Sequence, residues 1–345
     1  MLTLSLHYLT TSVSAYQAVA GAWSESFLKT TQNLQIDKDF KVPIPILNEP
    51  ALTSNAIQVF THHTQDKGLV QVTVDNNDVY ITDENLKMYT LPISRLKGVQ
   101  VNSEGKTDVE WITLMNSVRW ISASNRLNKE QKEAGAYQAF IGAQHQLSYR
   151  IYDPKHGFRT FEWGGRRGLS VSTAFEKSAV LDDKNNVYLN NVVPFEGLGE
   201  KEHSGWSRLK YGKGDFQQVS MGRDYLYGIR MLNSTKFIAK YTAHNPDGEN
   251  SRLNIDFAFP FGKIWSLEVS KEDGSLLAVT EHLAGQSGGQ IYRSINEGQN
   301  WVKVDLQHRV GDNHRPLIAK YAMPIDSKTF FCINDEGNLF IGTIQ

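Results

Sequence analysis

The sequence predicts an all-β fold, a six-bladed β-propeller, and three observations lead to that prediction. Short runs of β-branched and aromatic residues alternate with turns rich in Gly, Asn and Asp along most of the chain. Residues 264–306 contain four such strands and three turns, which is one complete blade. Three stretches resemble one another, each with an Asp- or Asn-rich turn before a short β-type triplet: 74–81, 181–189 and 333–341.

The blade count comes from the spacing of these repeats. Tyr80, Tyr188 and Phe340 occupy matching positions and are separated by nearly whole multiples of about 52 residues, the size of a four-stranded blade. Six blades follow from placing the third strand of each blade at Tyr80, Tyr149, Tyr188, Ile238, Tyr292 and Phe340. Seven blades is the alternative, because the interval after Tyr80 is long.

The last repeat contains only three strands, at 318–322, 329–333 and 339–344. We expect residues 1–9 to supply the fourth strand and close the ring, because closure removes exposed sheet edges that invite aggregation. The propeller is then expected to span residues 51–345.

Residues 10–50 are predicted to form an N-terminal arm with a short helix. Tyr16, Val19, Trp23 and Phe27 recur at three- and four-residue steps, which places them on one helical face. The arm either packs on its own propeller or docks on a neighbouring subunit, which would make the chain an oligomer.

Composition narrows the partner classes. Lys and Arg total 36 and Asp and Glu total 37, so the formal net charge is −1. Nucleic-acid binding needs a basic excess, so we do not expect it. We expect no membrane span, because no apolar run reaches about 18 residues. The N-terminus lacks the basic start of a signal peptide, so we expect cytoplasmic synthesis. Cys332 lies in an apolar run and is expected to be a buried, inert thiol.

One turn carries a family resemblance. Ser294, Asn296, Gly298 and Trp301 follow the pattern Ser-x-Asp-x-Gly-x-Thr-Trp, with Asn296 in place of Asp and Asn300 in place of Thr. This turn resembles the Asp-box, or BNR repeat, of the sialidase-like β-propeller superfamily. The resemblance implies a self-bonded turn in which the amide caps backbone N–H groups, the glycine adopts a tight conformation and the tryptophan packs between blades.

The same resemblance raises a sialidase-like glycoside hydrolase as an unfavoured alternative. Such enzymes hold the substrate carboxylate with three arginines, the first of them in the first blade. This chain has no arginine before Arg95. We therefore name no catalytic residue, and we expect neither a cofactor nor a metal.

The leading hypothesis is a non-catalytic recognition or assembly module that binds a glycan or a protein. A propeller is a rigid disc whose loops present side chains around a central channel. The alternative is a structural component of a larger particle, such as a viral tail or a secretion apparatus. The candidate ligand-binding residues are aromatic and arginine side chains expected near one mouth of the channel: Trp120, Trp163, Arg166, Arg167, Trp206, Arg223 and Arg315.

Overall fold

The described strands form six blades around an axis, as the sequence predicted. A computed structural model describes residues 50–345 except 62–67, 76, 97–101, 103–105, 108, 128–133, 154–156, 164–166, 176, 191–205, 210–213, 233, 243–252, 260, 262, 282–288 and 311–312. The predicted closing strand at 1–9 and the arm at 10–50 lie outside these residues, apart from Pro50. The described residues belong to one compact unit, Pro43–Gln345, and contain one 3₁₀ turn, Ile93–Arg95, and no α-helix.

Each blade is an antiparallel sheet whose strands follow one another from the axis to the rim. The first described strand is β1 (Leu52–Phe60). Blade 1 contains β2 (Leu69–Val74), β3 (Asp78–Asp83), β4 (Lys87–Pro92) and β5 (Ile112–Asn116). Blade 2 contains β6 (Val118–Leu127), β7 (Ala134–Gly142), β8 (Leu147–Asp153) and β9 (Gly157–Trp163). Blade 3 contains β10 (Gly168–Ala174), β11 (Lys177–Asp182), β12 (Val187–Asn190) and β13 (Ser207–Arg208).

The second half of the ring repeats this order. Blade 4 contains β14 (Phe216–Met221), β15 (Tyr225–Leu232), β16 (Thr235–Thr242) and β17 (Leu253–Ala258). Blade 5 contains β18 (Ile264–Val269), β19 (Leu276–Thr280), β20 (Ile291–Ser294) and β21 (Val302–Val310), and β22 (Asn313–Pro316) pairs with β21. Blade 6 contains β23 (Ala319–Pro324), β24 (Thr329–Asn334) and β25 (Leu339–Ile344). The complete blade predicted at 264–306 and the three strands predicted after it are confirmed.

The fourth strand of blade 6 is β1, which pairs antiparallel with β25. The place that the sequence analysis assigned to residues 1–9 is thus held by Leu52–Phe60. Ser54, Ala56 and Gln58 of this strand are buried, and this alternation fits a blade packed on its neighbour. β1 also pairs in parallel with β21, and blades 5 and 6 therefore share one continuous sheet at the rim.

The ring closes through its inner strands. Each inner strand contacts the next in the cyclic order β2, β6, β10, β14, β18, β23 and back to β2. One apolar cluster lies between each pair of neighbouring blades, such as Tyr80, Met88 and Ile121 between blades 1 and 2. Full burial of one such side chain contributes roughly 1.5–3 kcal/mol.

Five of the six residues used to place third strands do lie on third strands. Tyr80 is the exception, because it lies on β3, the second strand of blade 1. The stretch 74–81 is the turn between first and second strands, whereas 181–189 and 333–341 connect second and third strands. The prediction of an equivalent turn was wrong for blade 1 because both kinds of turn place an Asp or Asn directly after an apolar strand.

The true counterpart in blade 1 is the turn that begins at Asp83. The Asp83 carboxylate accepts the backbone N–H of Lys87 at 2.9 Å, four residues on. Asp182 accepts the N–H of Asn186 in blade 3 in the same way, at 2.8 Å. This turn position defines the third strands, and the third strand of blade 1 is therefore β4.

Candidate functional site

The six inner strands share one local geometry. In each, the pairing register with the second strand shifts after the first residue, so one residue is extruded as a β-bulge. Aligned on the bulge, the strands read LVQVTV, VRWISA, GLSVST, FQQVSM, IWSLEV and AKYAMP. They begin about 50 residues apart, which is one blade. Sequence reasoning missed this repeat because it aligned turns and aromatic residues rather than inner strands.

A ring of hydrogen bonds, which we call the collar, joins blades 1 to 5 beside the axis. The edge of each inner strand that faces the axis has no strand beside it, so its N–H groups need other acceptors. A hydroxyl of the preceding blade supplies the acceptor at the same position in four successive junctions. The collar bonds are Ala123 N–H to Thr73 Oγ1 (3.0 Å), Thr173 N–H to Ser122 Oγ (2.9 Å), Met221 N–H to Ser172 Oγ (2.8 Å) and Val269 N–H to Ser220 Oγ (3.0 Å).

Glu268 breaks the pattern, because it stands where blades 1 to 4 place Thr or Ser. Its carboxylate accepts three hydrogen bonds, from Gln218 Nε2 at 2.8 Å, Ser220 Oγ at 2.6 Å and Tyr321 OH at 2.7 Å. Burial raises the pKa of Glu268, and the hydrogen bonds and the nearby Lys271 oppose that rise. A charged residue at a hydroxyl position on the axis is the clearest local departure in this fold.

The side chain of Lys271 reaches across the axis to the opposite blade of the ring. It lies in the turn after β18, and its ammonium donates to the carbonyl of Ala123 on blade 2, the blade opposite in the ring. Burial lowers the pKa of Lys271 to about 8, while the charges of Glu268 and Asp75 act in the opposite direction. The side chain therefore spans the channel as a half-buried cation.

The space left between these groups is small. The axial cavity has a volume of ≈ 10 Å³, about the room that the centre of one water molecule needs. Its polar lining comes from both halves of the ring: Gln71, Thr73, Ser122, Ser172, Glu268, Lys271 and Tyr321. A sugar ring or an organic cofactor does not fit in this cavity.

A second candidate lies on the surface at the bulge of blade 5. Trp265 is the bulged residue, and its side chain is 56% exposed. Lys236 of blade 4 places its ammonium 6.0 Å from the centroid of the indole ring, donates to the carbonyl of Ile264 at 2.9 Å and pairs with Glu281.

Met231 extends this surface. It pairs across the strands with Lys236, is 44% exposed, and accepts a contact from Gln217 Nε2 at 3.3 Å from its sulfur. We call these four residues (Gln217, Met231, Lys236 and Trp265) the Trp265 patch. The patch brings together two exposed large apolar side chains from neighbouring blades, Met231 of blade 4 and Trp265 of blade 5.

Two of the three predicted tryptophans, Trp120 and Trp206, lie at blade interfaces. Trp120 is half-buried on β6, and its indole donates to the carbonyl of Val171 on the next blade at 3.1 Å. Trp206 is half-buried, with its ring 6.1 Å from that of Tyr149. Trp163 ends β9, and the orientation of its side chain lies outside what is described.

The predicted arginines do not share one mouth of the channel. Arg167 is exposed just before inner strand β10, whereas Arg223 lies in the turn after inner strand β14, with its guanidinium 4.9 Å from the ring centroid of Phe175. Inner strands run in one direction, so these two residues lie at opposite ends. Arg315 is exposed on β22 at the rim, and Arg166 lies outside the described residues.

The turn after β20 has the bonds that the sequence analysis expected of it. Ser294 Oγ accepts the N–H of Gly298 at 2.9 Å, and Asn296 Oδ1 accepts that of Asn300 at 2.9 Å. Gly298 has a φ of 87°, in the left-handed region that favours glycine. Trp301 is buried and donates to the carbonyl of Gly298 at 3.0 Å.

The described residues contain no group of three or more His, Cys, Asp or Glu side chains arranged to hold a metal ion. In the same part of the chain, no helix has the length and hydropathy needed to cross a membrane.

Comparison with known proteins gives structural likeness only. No protein-family model and no curated protein matches the chain. Human WBSCR16 matches with a TM-score of 0.44 and 11% identity over 81% of this chain and 77% of its own. Prp20p from Saccharomyces cerevisiae matches with 0.42 and 9% over 79% and 71%. YCF48 bound to D1 peptide matches with 0.41 and 11% over 88% and 99%. The six-bladed architecture of this chain is shown by its own strand order and pairing.

Proposed function

We propose that this propeller is a non-catalytic recognition module that binds a protein partner through the Trp265 patch. The observation that carries the proposal is the exposure of Trp265 on a rigid inner strand. Tryptophan, methionine and arginine are enriched at protein interfaces, and a few aromatic anchors contribute most of the binding energy. A solvated indole beside an exposed methionine is therefore typical of a docking surface.

The surroundings of Trp265 favour binding without rearrangement. The bulge holds the backbone in a register fixed by the flanking pairs of β18 with β19. Lys236 is itself held by Ile264 and Glu281, so the cation beside the indole is also positioned. An anchor ordered before binding loses less conformational entropy when a partner arrives.

The axis supports the same conclusion. Hydrogen-bonded side chains occupy the axis and leave a cavity of only ≈ 10 Å³. Binding sites for drug-sized ligands need roughly 300 Å³ or more. An axis occupied in this way is consistent with recognition at the protein surface. It is not consistent with a glycosidase pocket at this cavity.

The test is photo-crosslinking from position 265. A photoreactive phenylalanine analogue replaces Trp265 in cells that make the protein, and the adduct is identified by mass spectrometry. Binding of the identified protein is then measured with purified components. We expect Trp265→Ala to weaken binding at least tenfold, about 1.4 kcal/mol, and Ile295→Ala, an equally apolar and 69% exposed control, to change it less than twofold.

Equal losses in the two variants would show that the patch is not the anchor. If the protein instead binds a glycan on a glycan array, and Trp265→Ala abolishes that binding, the partner is a carbohydrate rather than a protein.

Two finer proposals accompany this one. Kinship with the BNR superfamily is supported by the bonds of Ser294 and Asn296 in the blade 5 turn. Assembly into a larger particle depends on residues 10–50. Light scattering of the full chain beside a variant without those residues tests whether they create an oligomer.

A further inference from the structure

Two opposite charges border the axial cavity without a direct bond between them. The Glu268 carboxylate and the Lys271 ammonium both belong to the lining. Each alters the pKa of the other through its charge, and no hydrogen bond joins the two side chains. Buried charges of opposite sign attract strongly, because little solvent screens them. Their separation therefore points to a small polar group that lies between them and bonds to both.

The Glu268 carboxylate has a site for one more donor. Its Oε1 atom accepts from Gln218 and Tyr321. Among the described residues, its Oε2 atom accepts only from Ser220. An ionised carboxylate has about four lone-pair sites on its two oxygens. One acceptor site on Oε2 is therefore left for a further hydrogen bond.

The rest of the lining has donors without acceptors. An ammonium group has three N–H bonds, and within the described part of the chain Lys271 uses one of them, toward the carbonyl of Ala123. Thr73 and Ser172 line the cavity, and each accepts a collar N–H with its hydroxyl oxygen. The described residues provide no acceptor for either hydroxyl proton. The cavity is thus bordered by several donors and by one free acceptor site.

We propose that the axial cavity binds one water molecule, which bridges Lys271 and Glu268 across the ring. The cavity volume of ≈ 10 Å³ lies at the lower limit for one water, and a buried water makes about three hydrogen bonds. The water accepts from Lys271 and from the hydroxyl of Thr73 or Ser172. It donates to Glu268 Oε2.

The charges beside the cavity disfavour an ion in place of the water. An anion such as chloride would lie against the Glu268 carboxylate. A cation such as sodium would lie against the Lys271 ammonium. A buried ion beside a like charge loses its hydration and gains repulsion on one side. Water is neutral and both donates and accepts, so it satisfies the two side chains together.

The water bridge joins blades that are not neighbours. Glu268 belongs to blade 5, and Lys271 of the same blade reaches the carbonyl of Ala123 on blade 2. The hydroxyls of Thr73 and Ser172 belong to blades 1 and 3. One water at the axis therefore connects both halves of the ring. This site is separate from the Trp265 patch, and the proposal does not depend on the partner bound there.

A crystal structure of the full chain, at a resolution that shows ordered water, tests the site directly. We expect one density peak within hydrogen-bond distance of Lys271 Nζ and Glu268 Oε2. A cavity without density, or a Lys271 ammonium in direct contact with Glu268, would overturn the proposal. An anomalous signal at this position in crystals soaked with bromide would overturn it as well, because it would identify a halide site.

Water magnetic relaxation dispersion counts long-lived buried waters in solution. The wild-type chain is compared with Ser172→Thr, which adds a methyl group beside the cavity and keeps a hydroxyl for the N–H of Met221. The matched control is Ser170→Thr on the same strand, because Ser170 is buried but does not line the cavity. We expect the number of long-lived waters to fall by one in Ser172→Thr and to stay unchanged in Ser170→Thr. Equal numbers in all three proteins contradict the proposal, and the wild-type crystal structure decides where a variant does not fold.

Discussion

The hydroxyl of Tyr321 donates to the carboxylate of Glu268 at 2.7 Å, and this bond joins blade 6 to blade 5 beside the axis. The carboxylate replaces a hydroxyl found at the same position in the first four blades, and Lys271 lies near it. Blade 5 therefore has an ionisable group at a position where the first four blades have a neutral hydroxyl, and substitutions can measure its effect on stability.

Neutralising both Glu268 and Lys271 should destabilise the chain less than neutralising either one alone. We expect Glu268→Gln and Lys271→Met each to lower the free energy of unfolding by a few kcal/mol at pH 7, because each leaves one buried charge uncompensated. The double variant should recover most of the loss, since a neutral pair needs no hydration. Urea unfolding of the four proteins measures this cycle. Additive losses would contradict coupling of the two charges.

Lys271 should raise the free energy of unfolding of the wild-type chain relative to that of Lys271→Met between pH 8 and pH 9.5. Its pKa is about 8 when folded and about 10.4 when unfolded. The unfolded state therefore binds more protons in that interval, and this residue contributes a rise of about 1.6 kcal/mol. Burial raises the pKa of the Cys332 thiol well above its ordinary value, so Cys332 lowers the stability of both proteins over the same interval and cancels in their difference. The interval ends below pH 10, where unfolded tyrosines begin to ionise. A difference between the two proteins that does not change with pH would contradict the desolvation of the ammonium.

Gly337→Ala should destabilise the contact between blades 6 and 1. Gly337 has a φ of 78°, and an added Cβ would lie 2.2 Å from the Cα of Gly68 on the facing blade. The control is Gly274→Ala, which has a φ of 75° and nothing within 4 Å of the added carbon. The control should cost only the backbone strain, roughly 1 kcal/mol, and Gly337→Ala at least twice that. Thermal unfolding compares the two, and equal losses would show that the blades separate readily there.

The blade 5 turn should tolerate Asn296→Asp but not Asn296→Ala. A carboxylate preserves the acceptor for the N–H of Asn300, at 2.9 Å in the native turn. Alanine removes it and should cost roughly 1–2 kcal/mol. Chemical unfolding of the two variants provides the measurement. If aspartate costs as much as alanine, the amide group is needed for more than its oxygen.

The sequence analysis predicted the hairpins but did not identify the repeat of the inner strands. The four strands of blade 5 and the last three strands were predictable because each turn is encoded by adjacent residues, such as Asn334 to Gly337. The placement of Tyr80 failed because two kinds of turn look alike in composition. The collar was hidden because its bonds join residues about 50 positions apart, although the repeat of the inner strands was readable.

The sequence by itself determined the strand repeat, the blade size and the bonds of the turn at Ser294, since these depend on neighbours along the chain. Only the tertiary structure decided that Leu52–Phe60 completes blade 6, that Glu268 meets Tyr321 on the axis, and that Trp265 is solvated while Trp120 is half-buried. A side chain's burial depends on which blade lies beside it, and that is decided by closure of the whole ring rather than by any local pattern.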